Sequence, residues 1–143
     1  MTEITFHFNV FDRAAYACRL VRKATRRGAQ VALTGAADVL NRLDRELWTF
    51  DPVEFVPHLR LGPAEGVAER MRPTKVWLVD DASTAPHHDV LVNLGRAAPG
   101  GFESFAKLIE IVSTAEENRV DARLRWKHYA SRGYPIVRHE VAE

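Results

Sequence analysis

The chain has one cysteine, Cys18, in 143 residues, so it can close no disulfide within itself and build no thiolate cluster around a metal. It has no run of about eighteen apolar residues, the length a membrane span needs, and no charged leader running into an apolar stretch. Net charge is also nearly absent. Twenty Lys and Arg face nineteen Asp and Glu, leaving +1, so no global field holds this chain on nucleic acid and any basic surface must be a local patch. Phosphate-cradling glycine loops are missing: neither Gly-x-Gly-x-x-Gly nor a loop ending Gly-Lys-Ser/Thr occurs, and Asn9-Val10-Phe11-Asp12 after the first strand carries no glycine. No cofactor is expected. There are no repeats and no internal linker. From these absences we expect a reduced, cytoplasmic protein with no membrane anchor, folded as one domain over residues 1–143.

What is present is a packed-core composition, 46% hydrophobic and 27% charged. Glu3 to Val10 sets Ile4, Phe6, Phe8 and Val10 against polar neighbours, a strand with one buried face. Asp12 caps a helix to about Arg27, with Ala17, Leu20, Val21 and Ala24 inward, Arg19, Arg22, Lys23, Arg26 and Arg27 outward, and Gly28 as its stop. Gln30 to Leu33 reads as a strand, and Ala36 to about Trp48 as a helix with Val39, Leu40, Leu43 and Leu47 on one stripe. From Asp51 to Pro73 the prolines predict a long irregular connection. Lys75–Asp80, Asp89–Leu94 and Lys107–Val112 read as further strands. Thr114-Ala115-Glu116-Glu117 has the capping-box spacing for a last helix to about Arg132, which Gly133 ends. Strands alternating with helices predict a three-layer α/β/α sandwich on a largely parallel, Rossmann-like sheet, with some mixed pairing allowed.

Catalytic patterns are scarce. His87-His88-Asp89 offers metal-ligand chemistry, but neighbouring strand side chains point to opposite faces, so an exposed turn is the reading and no metal is expected. Asp80-Asp81 lacks a phosphate loop to make it a Mg²⁺ pair and reads as a solvated strand end. Cys18 among Ala17, Leu20 and Val21 reads as a buried thiol. The last helix differs. At about 100° per residue, Arg119, Arg123, Trp126 and Lys127 share one arc, a cationic ridge holding an aromatic, with Val120 and Leu124 beside it to anchor the helix to the sheet.

Three blocks stand in order along the chain: Thr5-Phe6-His7-Phe8-Asn9 with Tyr16-Ala17-Cys18-Arg19-Leu20; Arg42-Leu43-Asp44-Arg45-Glu46-Leu47-Trp48-Thr49-Phe50 with Glu54-Phe55-Val56-Pro57-His58; and Arg125-Trp126-Lys127-His128-Tyr129 closing into Arg132-Gly133-Tyr134. Together they resemble the chi subunit of bacterial DNA polymerase III over nearly the whole chain. The resemblance implies a non-catalytic accessory subunit that links the clamp loader to the acidic, phenylalanine-terminated C-terminal tail of single-stranded DNA-binding protein. It implies a tail site at Val112, Arg119, Arg123, Trp126, Lys127, Gly133 and Tyr134, where an apolar slot takes the terminal ring and cations meet carboxylates. At Trp126 the family commonly carries tyrosine, so indole packing replaces a hydroxyl there. It also implies that Trp48 and Phe55 contact a protein partner, the psi subunit or another clamp-loader component, unless they only cover the second helix. Contact with DNA is then mainly indirect. The competing readings are direct nucleic-acid binding through the basic first and last helices and, more remotely, a small nucleotide-dependent enzyme.

Overall fold

The computed structural model describes residues 1–49, 56–61 and 74–142. In chain order these form β1 (Glu3–Val10), α1 (Arg13–Arg26), β2 (Val31–Thr34), α2 (Ala37–Thr49), β3 (His58–Leu61), β4 (Val76–Val79), β5 (Val90–Asn93), β6 (Lys107–Ser113), α3 (Glu116–Ser131) and β7 (Ile136–Glu140). The strands make one sheet in the order β3-β4-β2-β5-β6-β1-β7, and every pairing is parallel. Parallel neighbours need crossovers, which cover both faces of the sheet and bury its central strands completely. Val31 to Thr34 and Val76 to Val79 are buried at every position. The fold is therefore the expected Rossmann-like α/β sandwich, with no antiparallel pair among the described strands.

Each face has its own core. Ala17, Cys18 and Val21 of α1 and Leu40, Leu43 and Leu47 of α2 pack on Val31, Leu33, Val76, Leu78, Val92, Ile109 and Ile111. On the other face Ala122 and Tyr129 of α3, with Phe102 and Phe105 from a short 3-10 turn (Phe102–Ser104), pack on Ile4, Phe6, Ala32, Trp77, Leu91, Leu108 and Val112. Asp12 caps α1 as expected, accepting from the amides of Ala14 and Ala15. Gly28 and Gly133 end α1 and α3 in left-handed conformations that a side chain would strain.

Several expectations are corrected. Val10 lies on the face opposite Ile4 and Phe6, because Asn9 at φ 66° shifts the register between His7 and Val10. The irregular connection contains β3, a four-residue edge strand beginning just after Pro57; residues 51–55 and 62–73 of that connection lie outside the described residues. β7 after Gly133 was not anticipated: four of its five residues are exposed, so no alternating pattern marks it. No capping box forms at α3, whose cap residue is Ala115 with no side-chain bond; Asn118 instead accepts from the Ser113 amide. Val120 and Leu124 do not anchor α3, being 44% and 62% exposed on the side away from the sheet. Ala122, Arg125 and Tyr129 anchor it.

Candidate functional site

The carboxyl half of β1 and the middle of α3 diverge enough to leave a groove. Its walls are Phe6 and Phe8 of β1, Val112 of β6, Arg138 of β7, and Arg119, Ala122, Arg123, Trp126 and Lys127 of α3, enclosing about 420 Å³. Spacing of four along α3 puts Arg119, Arg123 and Lys127 in one row at the rim. Trp126 turns inward, its ring 5.0 Å from that of Phe6 and tilted by 52°. Arg138 closes the far side with its guanidinium carbon 4.9 Å from the centre of the Phe8 ring. The groove is thus an apolar floor under four cations, with no carboxylate among the described residues that line it. Glu116 reaches Arg123 from outside at 3.6 Å, but both side chains are more than half exposed, and such a pair is worth only about 0–1 kcal/mol.

A buried polar network fixes α3 to the sheet beneath the groove. Glu110 on β6 is fully buried; it accepts from Arg125 Nε at 3.0 Å, from the Tyr129 hydroxyl at 2.5 Å and from the Asn93 amide at 3.1 Å. Arg125 also donates to the Arg96 carbonyl at 3.0 Å. Burial pushes the Glu110 carboxyl above its ordinary pKa, against the pull of Arg125, Tyr129 and Asn93. Burial first, and the Glu110 carboxylate second, push the Tyr129 phenol up, so it stays a donor. The helix that presents the cationic row is therefore oriented by directional bonds as well as by packing.

Five of the seven tail-site residues expected from sequence, Val112, Arg119, Arg123, Trp126 and Lys127, line this one groove. Gly133 and Tyr134 lie outside the lining: Gly133 ends α3 at φ 80°, and Tyr134 packs on Phe102 with ring centres 5.2 Å apart. Phe6, Phe8 and Arg138 were not foreseen as site residues. The first two read as core, and Arg138 sits on the strand that sequence did not reveal. At the far edge Trp48 is 62% exposed at the end of α2, its ring 5.5 Å from that of buried His58. It projects rather than plugs the core. Phe55 lies outside the described residues.

The remaining candidates have structural partners. His87 is buried, not in an exposed turn, and bonds the Lys75 carbonyl at 3.1 Å; burial, the main cause, lowers its pKa. His88 packs on Phe105, and Asp89 accepts from the Gln30 amide, so the three side chains serve three places. Asp80 pairs with Arg60, and Asp81 caps the Ala82–Thr84 turn through Ser83. Among the described residues no group of three His, Cys, Asp or Glu could hold a metal, and no helix is long and apolar enough to cross a membrane. Cys18 is buried, and its pKa is raised to about 12, chiefly by burial.

Fold and groove together define a parallel α/β module with an apolar-floored, cation-rimmed groove along α3. Residues 1–137 match the family DNA polymerase III chi subunit, HolC. The chain is 34% identical over 130 residues to DNA polymerase III subunit chi of Pseudomonas aeruginosa PAO1, covering 90% of this chain and 87% of that protein. It is 28% identical over 127 residues to DNA polymerase III subunit chi of Haemophilus influenzae Rd, covering 87% and 85%. Among solved structures it is similar to the Mss116p DEAD-box helicase domain 2 bound to an RNA duplex, with a TM-score of 0.60 at 8% identity, over 100% of this chain and 65% of that one. At that identity the likeness concerns the fold alone. The chain belongs to the DNA polymerase III chi subunit family, which makes it an accessory subunit of that polymerase.

Proposed function

We propose that this subunit works as a single chi-like domain and as a connector in DNA replication. Its α3 groove holds the acidic C-terminal tail of single-stranded DNA-binding protein, while another surface is held by the clamp loader. The observation that carries the reading is the groove itself. An apolar floor of Phe6, Phe8, Val112, Ala122 and Trp126 has the character to take a terminal phenyl ring, and Arg119, Arg123, Lys127 and Arg138 stand where a carboxylate and preceding aspartates would lie. Its volume of about 420 Å³ is in the ordinary range for ligand sites, about 300–1,000 Å³. Gly133 serves the site by ending α3, and Tyr134 by bracing that end against Phe102. Trp48, with Phe55, is the anchor for psi or another clamp-loader component: a large exposed aromatic on a rigid helix end is the kind of residue that dominates interface energies. The subunit does this work without a catalytic centre of its own.

The test is fluorescence anisotropy of a labelled peptide ending Asp-Asp-x-Pro-Phe, titrated with the protein at low and high salt. Saturable binding that weakens with salt and is lost in Arg123→Glu is the expected result. Equal affinity in the folded variant would remove the groove as the tail site.

A further inference from the structure

The near-zero net charge conceals a segregation. Helix α1 carries Arg13, Arg19, Arg22, Lys23 and Arg26 and not one acidic residue. Where α1 crosses the β1–β7 margin, on the face opposite the α3 groove, there is a second cavity of about 450 Å³. Its lining includes Lys23 of α1, Lys107 at the start of β6, and Arg138 and His139 of β7; Glu3 is the one carboxylate among the described residues that line it. None of Lys23, Lys107 or Arg138 has an ion-pair partner among the described residues. Three rings sit among these cations. His7 contacts the Tyr16 hydroxyl at 2.5 Å and lies 4.9 Å from the His139 ring, and the Arg19 guanidinium carbon is 5.7 Å from the centre of the Tyr16 ring. Burial first, and then the neighbouring His139, Lys107 and Lys23, lower the His7 pKa to about 4.

We propose that this cavity and the basic side of α1 bind the phosphodiester backbone of a single-stranded nucleic acid directly. Lys23, Lys107 and Arg138 by themselves would suit any polyanion. The combination of cations with histidine and tyrosine rings is the one single-strand sites use, where the backbone meets charge and bases meet rings. An acidic peptide of the tail type needs an apolar slot for its terminal ring, and that slot lies on the other face. Arg138 borders both cavities, so a strand held here would run along the β7 edge beside the groove. This inference does not rest on the tail reading.

The experiment uses the full chain and a fluorescein-labelled oligothymidylate at low and high salt, in parallel with the tail peptide and a polyglutamate of matched charge. Saturable oligonucleotide binding should weaken with salt and fall about tenfold or more in Lys23→Glu/Lys107→Glu, because two phosphate contacts become repulsions. Arg123→Glu should leave it within about twofold of wild type while abolishing the tail peptide. Lys23→Gln/Lys107→Gln, a milder charge change at surface positions, should show the same trend and guards against misfolding of the double Glu variant. No binding by the wild type, unchanged binding in both Lys double variants, or polyglutamate binding as tightly as the oligonucleotide would each overturn the proposal. Loss of tail binding alone would leave it standing.

Discussion

Arg125 is 2% exposed, so the α3 face of the sheet holds a buried guanidinium whose one carboxylate partner among the described residues is Glu110. Replacing Glu110 by Ala would leave that charge unpaired in the core, which costs about 3–5 kcal/mol. The Tyr129 hydroxyl and the Asn93 amide lose an acceptor at the same time. A loss near 4 kcal/mol is a large part of the roughly 5–15 kcal/mol that holds a domain together, and at about 2–4 °C per kcal/mol it lowers Tm by about 8–16 °C. Removing both charges is a different perturbation. Glu110→Leu with Arg125→Met leaves no buried ion, so the double variant should be more stable than the summed losses of Glu110→Leu and Arg125→Met imply by about 2 kcal/mol. Urea unfolding followed by the fluorescence of Trp77 and Trp126, which lie on the face this network serves, reads all corners of the cycle. A Glu110→Ala cost below about 1 kcal/mol, or strict additivity in the double variant, would refute the view that this pair fixes α3.

Other perturbations test other parts of the molecule. Cys18, buried and with its pKa raised to about 12, should not react with an aromatic disulfide reagent near neutral pH until the protein unfolds; prompt labelling of the folded chain would contradict its placement. The His7 pKa falls from 6.5 to about 4, so the unfolded chain binds the extra proton between those values. The stabilising contribution is therefore complete above 6.5 and is lost as pH falls toward 4. Linkage alone gives about 3 kcal/mol, which solvent screening at this half-open position reduces to about 1–2 kcal/mol. In His7→Gln the decline of stability over that interval should flatten, and an unchanged slope would assign it to other groups. Trp48→Ala should cost no more than about 0.5 kcal/mol in stability because the ring is 62% exposed, yet should abolish clamp-loader pulldown; retained pulldown would remove Trp48 from that interface.

The α/β class, the positions of both early helices and four lining residues of the groove, Arg119, Arg123, Trp126 and Lys127, were legible in the amino-acid order, because helix caps, a 3.6-residue apolar stripe and spacing along α3 are local properties; Val112, on β6, came only with the family resemblance. Asp12, Leu40, Leu43 and Leu47 behave as that local code requires. The anchoring face of α3 was not legible. Its inward positions, Ala122, Arg125 and Tyr129, include an arginine, while Val120 and Leu124 point outward, so hydrophobicity marks the wrong side. Burial of Arg125 makes sense only once β6 brings Glu110 within 3.0 Å. The same holds for the edge strands. β3 and β7 are short, and each pairs on one side only among the described residues, so their strand character comes from β4 and β1 rather than from their own residues.

By itself the sequence determined that the chain alternates strand and helix around an apolar core, that its cationic residues outnumber its acidic ones by a single charge, and that one helix carries a basic row beside a tryptophan. Those are sums and periodicities, set by residues close together along the chain. Only tertiary structure decided which cations face each other across a cavity. Parallel pairing carries β7 alongside β1, which places Arg138 over Phe8 and His139 against His7 although more than a hundred residues separate the partners. Coulomb and packing forces act through space, so the division of this chain into an apolar-floored groove on one face and a cation-lined pocket on the other exists only once the sheet has closed.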